Sequence, residues 1–104
     1  MSNIVYAAAQ PAVTSAVDLH TPSADSEERV DIIACNASSG SSAVSIGLKS
    51  GGTTRWLLYT YSLSANSEPY ILRRIMLDDT TTVVVQTNTA STVDFTVTGY
   101  SKNV

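Results

Sequence analysis

From Arg29 onward the hydrophobic positions fall into short alternating or apolar runs at nearly even spacing, each closed by Ser, Gly, Asn or Asp. The runs are Arg29–Asn36, Ala43–Lys49, Arg55–Tyr61, Tyr70–Leu77, Thr81–Thr87 and Thr92–Tyr100. Runs of this kind, with turn signals about every 8–12 residues, predict an all-β chain: an antiparallel β-sandwich, jelly-roll or immunoglobulin-like, of about 7–8 short strands. Two further strands are predicted upstream. Ile4 to Ala9 is one, ended by Gln10-Pro11. Ala16 to His20 is the other, with Val17 and Leu19 on one face and Asp18 and His20 on the other. Thr21-Pro22 stops it, because proline cannot donate to a ladder and holds its predecessor extended. Ser23 to Glu28 reads as an acidic loop. The expected organisation is an extended N-terminal arm over 1–14 and a sandwich domain over 15–104.

The faces of each run sharpen this picture. In Arg29–Asn36, Val30, Ile32 and Ala34 share one face, and Asp31, Ile33 and Cys35 the other. Both carry apolar groups, so the strand is expected to be central. Gly51-Gly52 predicts the hairpin between Ala43–Lys49 and Arg55–Tyr61. In Arg55–Tyr61, Trp56 and Leu58 alternate with Leu57, Tyr59 and Tyr61, and Trp56 is expected in the core. Tyr70–Leu77 breaks its own period: if Leu72 points inward, so would Arg74. A one-residue bulge at Arg73-Arg74 returns Ile75 and Leu77 to the core and sends both arginines outward. Asp78-Asp79 makes the next turn, and Val93, Phe95 and Val97 face inward on the last strand.

At 104 residues the chain is one domain, able to bury roughly 65 % of its unfolded surface. A net charge of -3 argues against non-specific nucleic-acid binding, which needs clustered Lys and Arg. No stretch approaches the roughly 20 apolar residues of a membrane span. The start, MSNIVYAAAQ, lacks the basic region of a signal peptide.

Candidate chemistry is sparse. His20 and Cys35 are the only residues of their kinds, so a nucleophile–base pair would have to join them. His20 is instead expected as a surface strand residue and Cys35 as a small buried one. Asp78 and Asp79 read as a turn rather than a calcium loop. Asn36-Ala37-Ser38 fits the glycosylation triplet. No phosphate loop, dinucleotide fingerprint or CxxC occurs, and neither a cofactor nor a metal is implied. The expectation is a protein that is not an enzyme. The candidate partner interface is Tyr6 in the arm, Tyr59, Tyr61 and Tyr70 as aromatic anchors, and Arg73 and Arg74 as pairing groups for acidic residues of a partner.

Two stretches, AVDLHTPSADSEERVDIIACNASS and RWLLYTYSLSANSEPYILRRIMLDDTTTVVVQTNTASTVDFTVTGY, together resemble short β-sandwich virion proteins of tailed bacteriophages. The likeness lies in the order of its parts: a strand ending near Thr21-Pro22, an apolar strand ending in Cys35-Asn36, an aromatic strand leading into Leu63-Ser64-Ala65-Asn66, a strand closed by Leu77-Asp78-Asp79, and a final pair closing near Gly99. Asp78-Asp79 stands where that group often has Gly-Asp, and Ser23 to Glu28 is more acidic than its usual turn. The resemblance implies a virion component, on the capsid exterior as a decoration (cement) protein or else in the tail. It implies a partner in the major capsid protein or another virion protein, and a homo-oligomer, most often a trimer. As a tail module it would bind host-surface carbohydrate or a receptor. The arm, Met1 to Gln10, is then a candidate for strand addition to a neighbour.

Overall fold

The computed structural model describes residues 4–65 and 68–103. Met1 to Asn3 of the arm and Asn66 of the Leu63–Asn66 turn lie outside the described residues. The chain is all-β, with eight strands: β1 (Ile4–Ala9), β2 (Val17–His20), β3 (Ser26–Asn36), β4 (Ser42–Ser50), β5 (Thr53–Leu63), β6 (Tyr70–Leu77), β7 (Thr82–Thr87) and β8 (Val93–Asn103). They form two antiparallel four-stranded sheets, β1-β8-β3-β6 and β2-β7-β4-β5.

The pairing explains the order. β4 pairs with β5, β3 with β6, β2 with β7 and β1 with β8. The chain is therefore one long hairpin, with its tip at Gly51-Gly52. That ribbon is rolled up until β8 also meets β3 and β7 also meets β4. This is jelly-roll winding, and it decides between the two sandwich types that the spacing predicts. At the tip Gly51 and Gly52 both have positive φ, 60° and 82°. A two-residue turn of this hand matches the twist of its strands and needs residues without a Cβ.

Alternation places the core. Val30, Ile32 and Ala34 of β3, Val44 and Ile46 of β4, Val83 and Val85 of β7, and Val93, Phe95 and Val97 of β8 all point between the sheets and are buried. Leu63 and Leu77 close the ends. β3 and β8 are central strands and are among the longest, at 11 residues each.

Three expectations are corrected. Ser26 to Glu28 is not loop: β3 starts at Ser26, and Glu28 continues the inward parity of Val30 and Ile32, with 3 % exposure. Trp56 is not in the core. It stands in register with Gly47 and Val84 on the outer face of its sheet, half-buried. Cys35 is half-exposed on the outer face of β3, opposite Asp94, because no further layer covers that sheet. The arm residues Ile4–Ala9 pair with β8 as an edge strand of their own molecule.

Candidate functional site

The surface features collect around β5 and β6, the edge strands that lie on the same side of the sandwich. β5 pairs irregularly with β4. One register shift sets Leu57 between the Ile46↔Leu58 and Gly47↔Trp56 pairs, and a second sets two residues, Tyr59 and Thr60, against Ser45. Thr60 has φ 48°, and its N–H donates to the buried Ser45 hydroxyl at 2.9 Å. These bulges re-aim the side chains around them. Leu58 turns inward to the core, whereas Leu57 and Tyr59 are thrown out, at 46 % and 63 % exposure. Tyr59 leans on Trp56, ring centroids 5.5 Å apart. Tyr61 meets Tyr70 of β6 across the seam between the sheets at 4.8 Å. Tyr70 packs against the core while Tyr61 remains exposed. The structure thus brings Tyr61 and Tyr70 together on the β5–β6 flank, whereas Tyr59 stands with Trp56 on the outer face of β5.

The predicted bulge in β6 is present. Val30 pairs with Ile75 and Ile32 with Leu72, so Arg73 and Arg74 together oppose Asp31. Arg74 sits in the left-handed region, φ 62°. Its N–H donates to Asp31 Oδ1 at 3.0 Å, which holds the strained residue in place. Arg73 Nη1 lies 3.9 Å from Asp31 Oδ2. Arg29, Arg73 and Arg74, with Asp31, Thr98 and Tyr100, line an open hollow of about 210 Å³ on the outer face. Three of the chain's six Lys and Arg are gathered there against one carboxylate. Sequence reasoning identifies two of these arginines but not Arg29. The signal is its parity with Asp31, the residue that faces the bulge.

Tyr6 takes no part in this flank. It lies at the opposite seam, half-buried against the core, with its ring stacked on His20 at 5.0 Å. Its hydroxyl is buried without a hydrogen-bond partner among the described residues. His20 is not the expected surface residue. A register shift in β2 between Asp18 and His20 turns it inward, and its Nε2 lies 2.6 Å from Glu28 Oε1. Glu28 is roughly 23 Å of strand from Cys35, so His20 and Cys35 do not form a pair. Asn36 is buried and does not present its amide for modification. Its Nδ2 donates to Leu63 O and Gly40 O, and its Oδ1 accepts from the Ser38 N–H and hydroxyl. Asp78 makes the predicted turn: Oδ1 accepts from the Thr80 hydroxyl and N–H and from the Thr81 hydroxyl. These bonds favour the ionised form and hold its carboxyl below the ordinary range.

Neither a family model nor a curated protein matches this sequence.

Proposed function

We propose that this chain is a non-enzymatic structural component of a tailed-phage virion, a capsid decoration module on the outside of the head that binds the major capsid protein. The observation that carries the reading is the edge strand β5, where Leu57, Tyr59 and Tyr61 are all more than a third exposed. Large apolar groups exposed along one bulged edge strand are surface that a partner covers. Jelly-roll winding is shared by capsid proteins, which supports the reading by analogy of fold.

The mechanism is clamping. Each large side chain that goes from exposed to buried contributes about 1.5–3 kcal/mol of gross burial free energy. Several such anchors, repeated around the shell, oppose separation of the subunits they bridge. Heating purified capsids with and without the protein tests this. Complete capsids should survive to a higher temperature, and equal survival would refute the cementing role.

A second reading rests on one observation. Tyr59 borders a small hollow of about 70 Å³ with Gln86, Asn88 and the Ser45–Thr60 pair. An aromatic face beside amide and hydroxyl groups suits a sugar, and lectin domains also use jelly rolls. In that case the module sits at the tail and binds host carbohydrate. A glycan screen decides: binding that Tyr59→Ala abolishes would favour this reading, and no binding would remove it.

A further inference from the structure

The hollow at the β6 bulge carries positive charge that the described residues do not neutralise. Arg29 of β3 and Arg73 and Arg74 of β6 line it, and Asp31 is its one lining carboxylate. Both Asp31 oxygens are turned to β6: Oδ1 accepts from the Arg74 N–H at 3.0 Å, and Oδ2 lies 3.9 Å from Arg73 Nη1. The guanidiniums of Arg29 and Arg74 make no ion pair among the described residues. Glu27, the next outward residue of β3, does not line the hollow. The opposite wall is Thr98 and Tyr100 of β8, in register with Asp31 and Arg29. Gly99 between them lets β8 lie tight against β3, since a Cβ there would collide with the Arg29 carbonyl oxygen. All this sits on a molecule of net charge -3, so the excess is local and not a consequence of composition.

The backbone is bent to make this arrangement. Neighbouring residues of a regular strand point to opposite faces. The bulge instead sets both arginines against Asp31, at the cost of holding Arg74 at φ 62°. Strain of this kind persists where the surroundings over-determine it, and it collects at binding sites. We infer that the hollow is a binding site for a tetrahedral oxyanion, a phosphate or sulfate group. Each guanidinium brings up to five N–H donors, and a tetrahedral group has three or four oxygens to receive them from two strands at once. A carboxylate has two oxygens in one plane, which a single guanidinium already matches. Three guanidiniums against one carboxylate leave two positive charges, which balance a sulfate and nearly balance a phosphate at neutral pH. Asp31 is a positioning residue, because its bond to the Arg74 N–H fixes the bulge. The hollow is open to solvent, so the bound group can be a free ion or the end of a larger molecule. This site does not depend on the virion reading, and either can fail without the other.

Titration of the isotope-labelled full chain with inorganic phosphate and with sulfate, followed by amide chemical shifts, tests it. The background is about 0.02 M sodium chloride, where screening is weak, and a chloride titration of matched ionic strength is the blank. The amides of Arg29, Arg73, Arg74 and Tyr100 should shift together, with a dissociation constant of about 1 mM or tighter. Arg29→Gln and Arg73→Gln should each weaken binding at least about tenfold. Arg74→Asn should do the same, since asparagine tolerates the left-handed backbone. Arg55→Gln makes the same change in net charge on β5 of the other sheet and should leave the affinity unchanged. Acetate should bind at least about tenfold more weakly than phosphate. Methyl phosphate separates the two sources: affinity equal to that of inorganic phosphate points to a group carried on a larger molecule, and a clear loss points to the free ion. Thermal melts establish that each variant is folded, as the 67 % exposure of the Arg73 side chain predicts. The absence of shifts at these amides up to about 20 mM phosphate and sulfate overturns the proposal. So does weakening by Arg55→Gln equal to that by Arg29→Gln, or acetate binding as tightly as phosphate.

Discussion

Replacing His20 by alanine should destabilise this domain far more than a histidine on a short edge strand suggests. The His20 ring lies 2.6 Å from the Glu28 carboxylate, and the two side chains are 13 % and 4 % exposed. His20→Ala leaves that carboxylate buried without this partner. Removing one member of a buried pair costs about 3–5 kcal/mol when burial is complete. The residual exposure of His20 lets water reach the gap, so the lower end applies. Loss of the stack on Tyr6 adds about 0.5–1 kcal/mol. A total of about 3.5–4 kcal/mol is a large share of the 5–15 kcal/mol that holds a typical domain together. Urea unfolding measures it: with a slope of about 1.5 kcal/mol/M, the midpoint should fall by about 2.5 M. The diagnostic step is Glu28→Gln in the His20→Ala background. A neutral amide costs far less to bury than a carboxylate, so the double variant should recover at least about 1 kcal/mol over His20→Ala. If His20→Ala costs under about 1 kcal/mol, or Glu28→Gln brings no recovery, burial of the Glu28 charge is not what His20 offsets.

Three further outcomes follow from local geometry. Asp78 titrates below its ordinary range in the folded chain, so the stability it contributes is present above the unfolded carboxylate pKa and is lost as pH falls through the lower folded value, below about pH 4. Asp78→Asn keeps an acceptor but cannot titrate, so melting temperature against pH should fall less steeply on its acid side than for wild type. At Gly47 a methyl group would lie 2.8 Å from Arg55 O and 2.9 Å from Trp56 Cε3; Gly47→Ala should cost about 1–3 kcal/mol by chemical denaturation and shift the tryptophan emission as Trp56 is displaced. Asn36→Ala takes the side-chain donor from the buried Leu63 carbonyl, leaves the Gly40 carbonyl with the Ser38 hydroxyl, and removes the acceptor for the Ser38 N–H, and should cost about 2–3 kcal/mol in the same assay.

What the sequence reveals of this fold depends on whether a residue's chemistry and its phase agree. The β4–β5 hairpin is legible because Gly51-Gly52 supplies the positive φ that the turn requires. The β6 bulge is legible because an arginine cannot share the inward phase of Leu72 without cost, so the conflict itself locates the extra residue. Where bulges carry no such conflict, the reading fails. Leu57, Leu58, Tyr59 and Trp56 fit either face equally well, so the shifts in β5 that send Trp56 outward leave no mark in the pattern. The shift in β2 likewise turns His20 inward without a local signal, since its partner Glu28 is supplied by another strand. Glu28 itself is legible by parity with Val30 and Ile32, but its charge argues for solvent, and only a buried partner reverses that argument.

The two open sides of the rolled ribbon are closed by different chemistry, and this difference locates the surface free for contact. On the β1–β2 side Tyr6 stacks on His20, and His20 binds the buried Glu28. These groups satisfy or cover one another within the chain, so a partner docking there would have to compete with contacts already made. On the β5–β6 side Tyr61 and Tyr70 touch across the seam. There the bulge in β5 leaves Leu57 and Tyr59 exposed and the bulge in β6 turns Arg73 and Arg74 to the surface. An edge that is both bulged and charged also resists indiscriminate strand addition. The geometry that exposes these side chains therefore limits how another molecule can approach, and leaves complementary charge and aromatic packing to choose the partner.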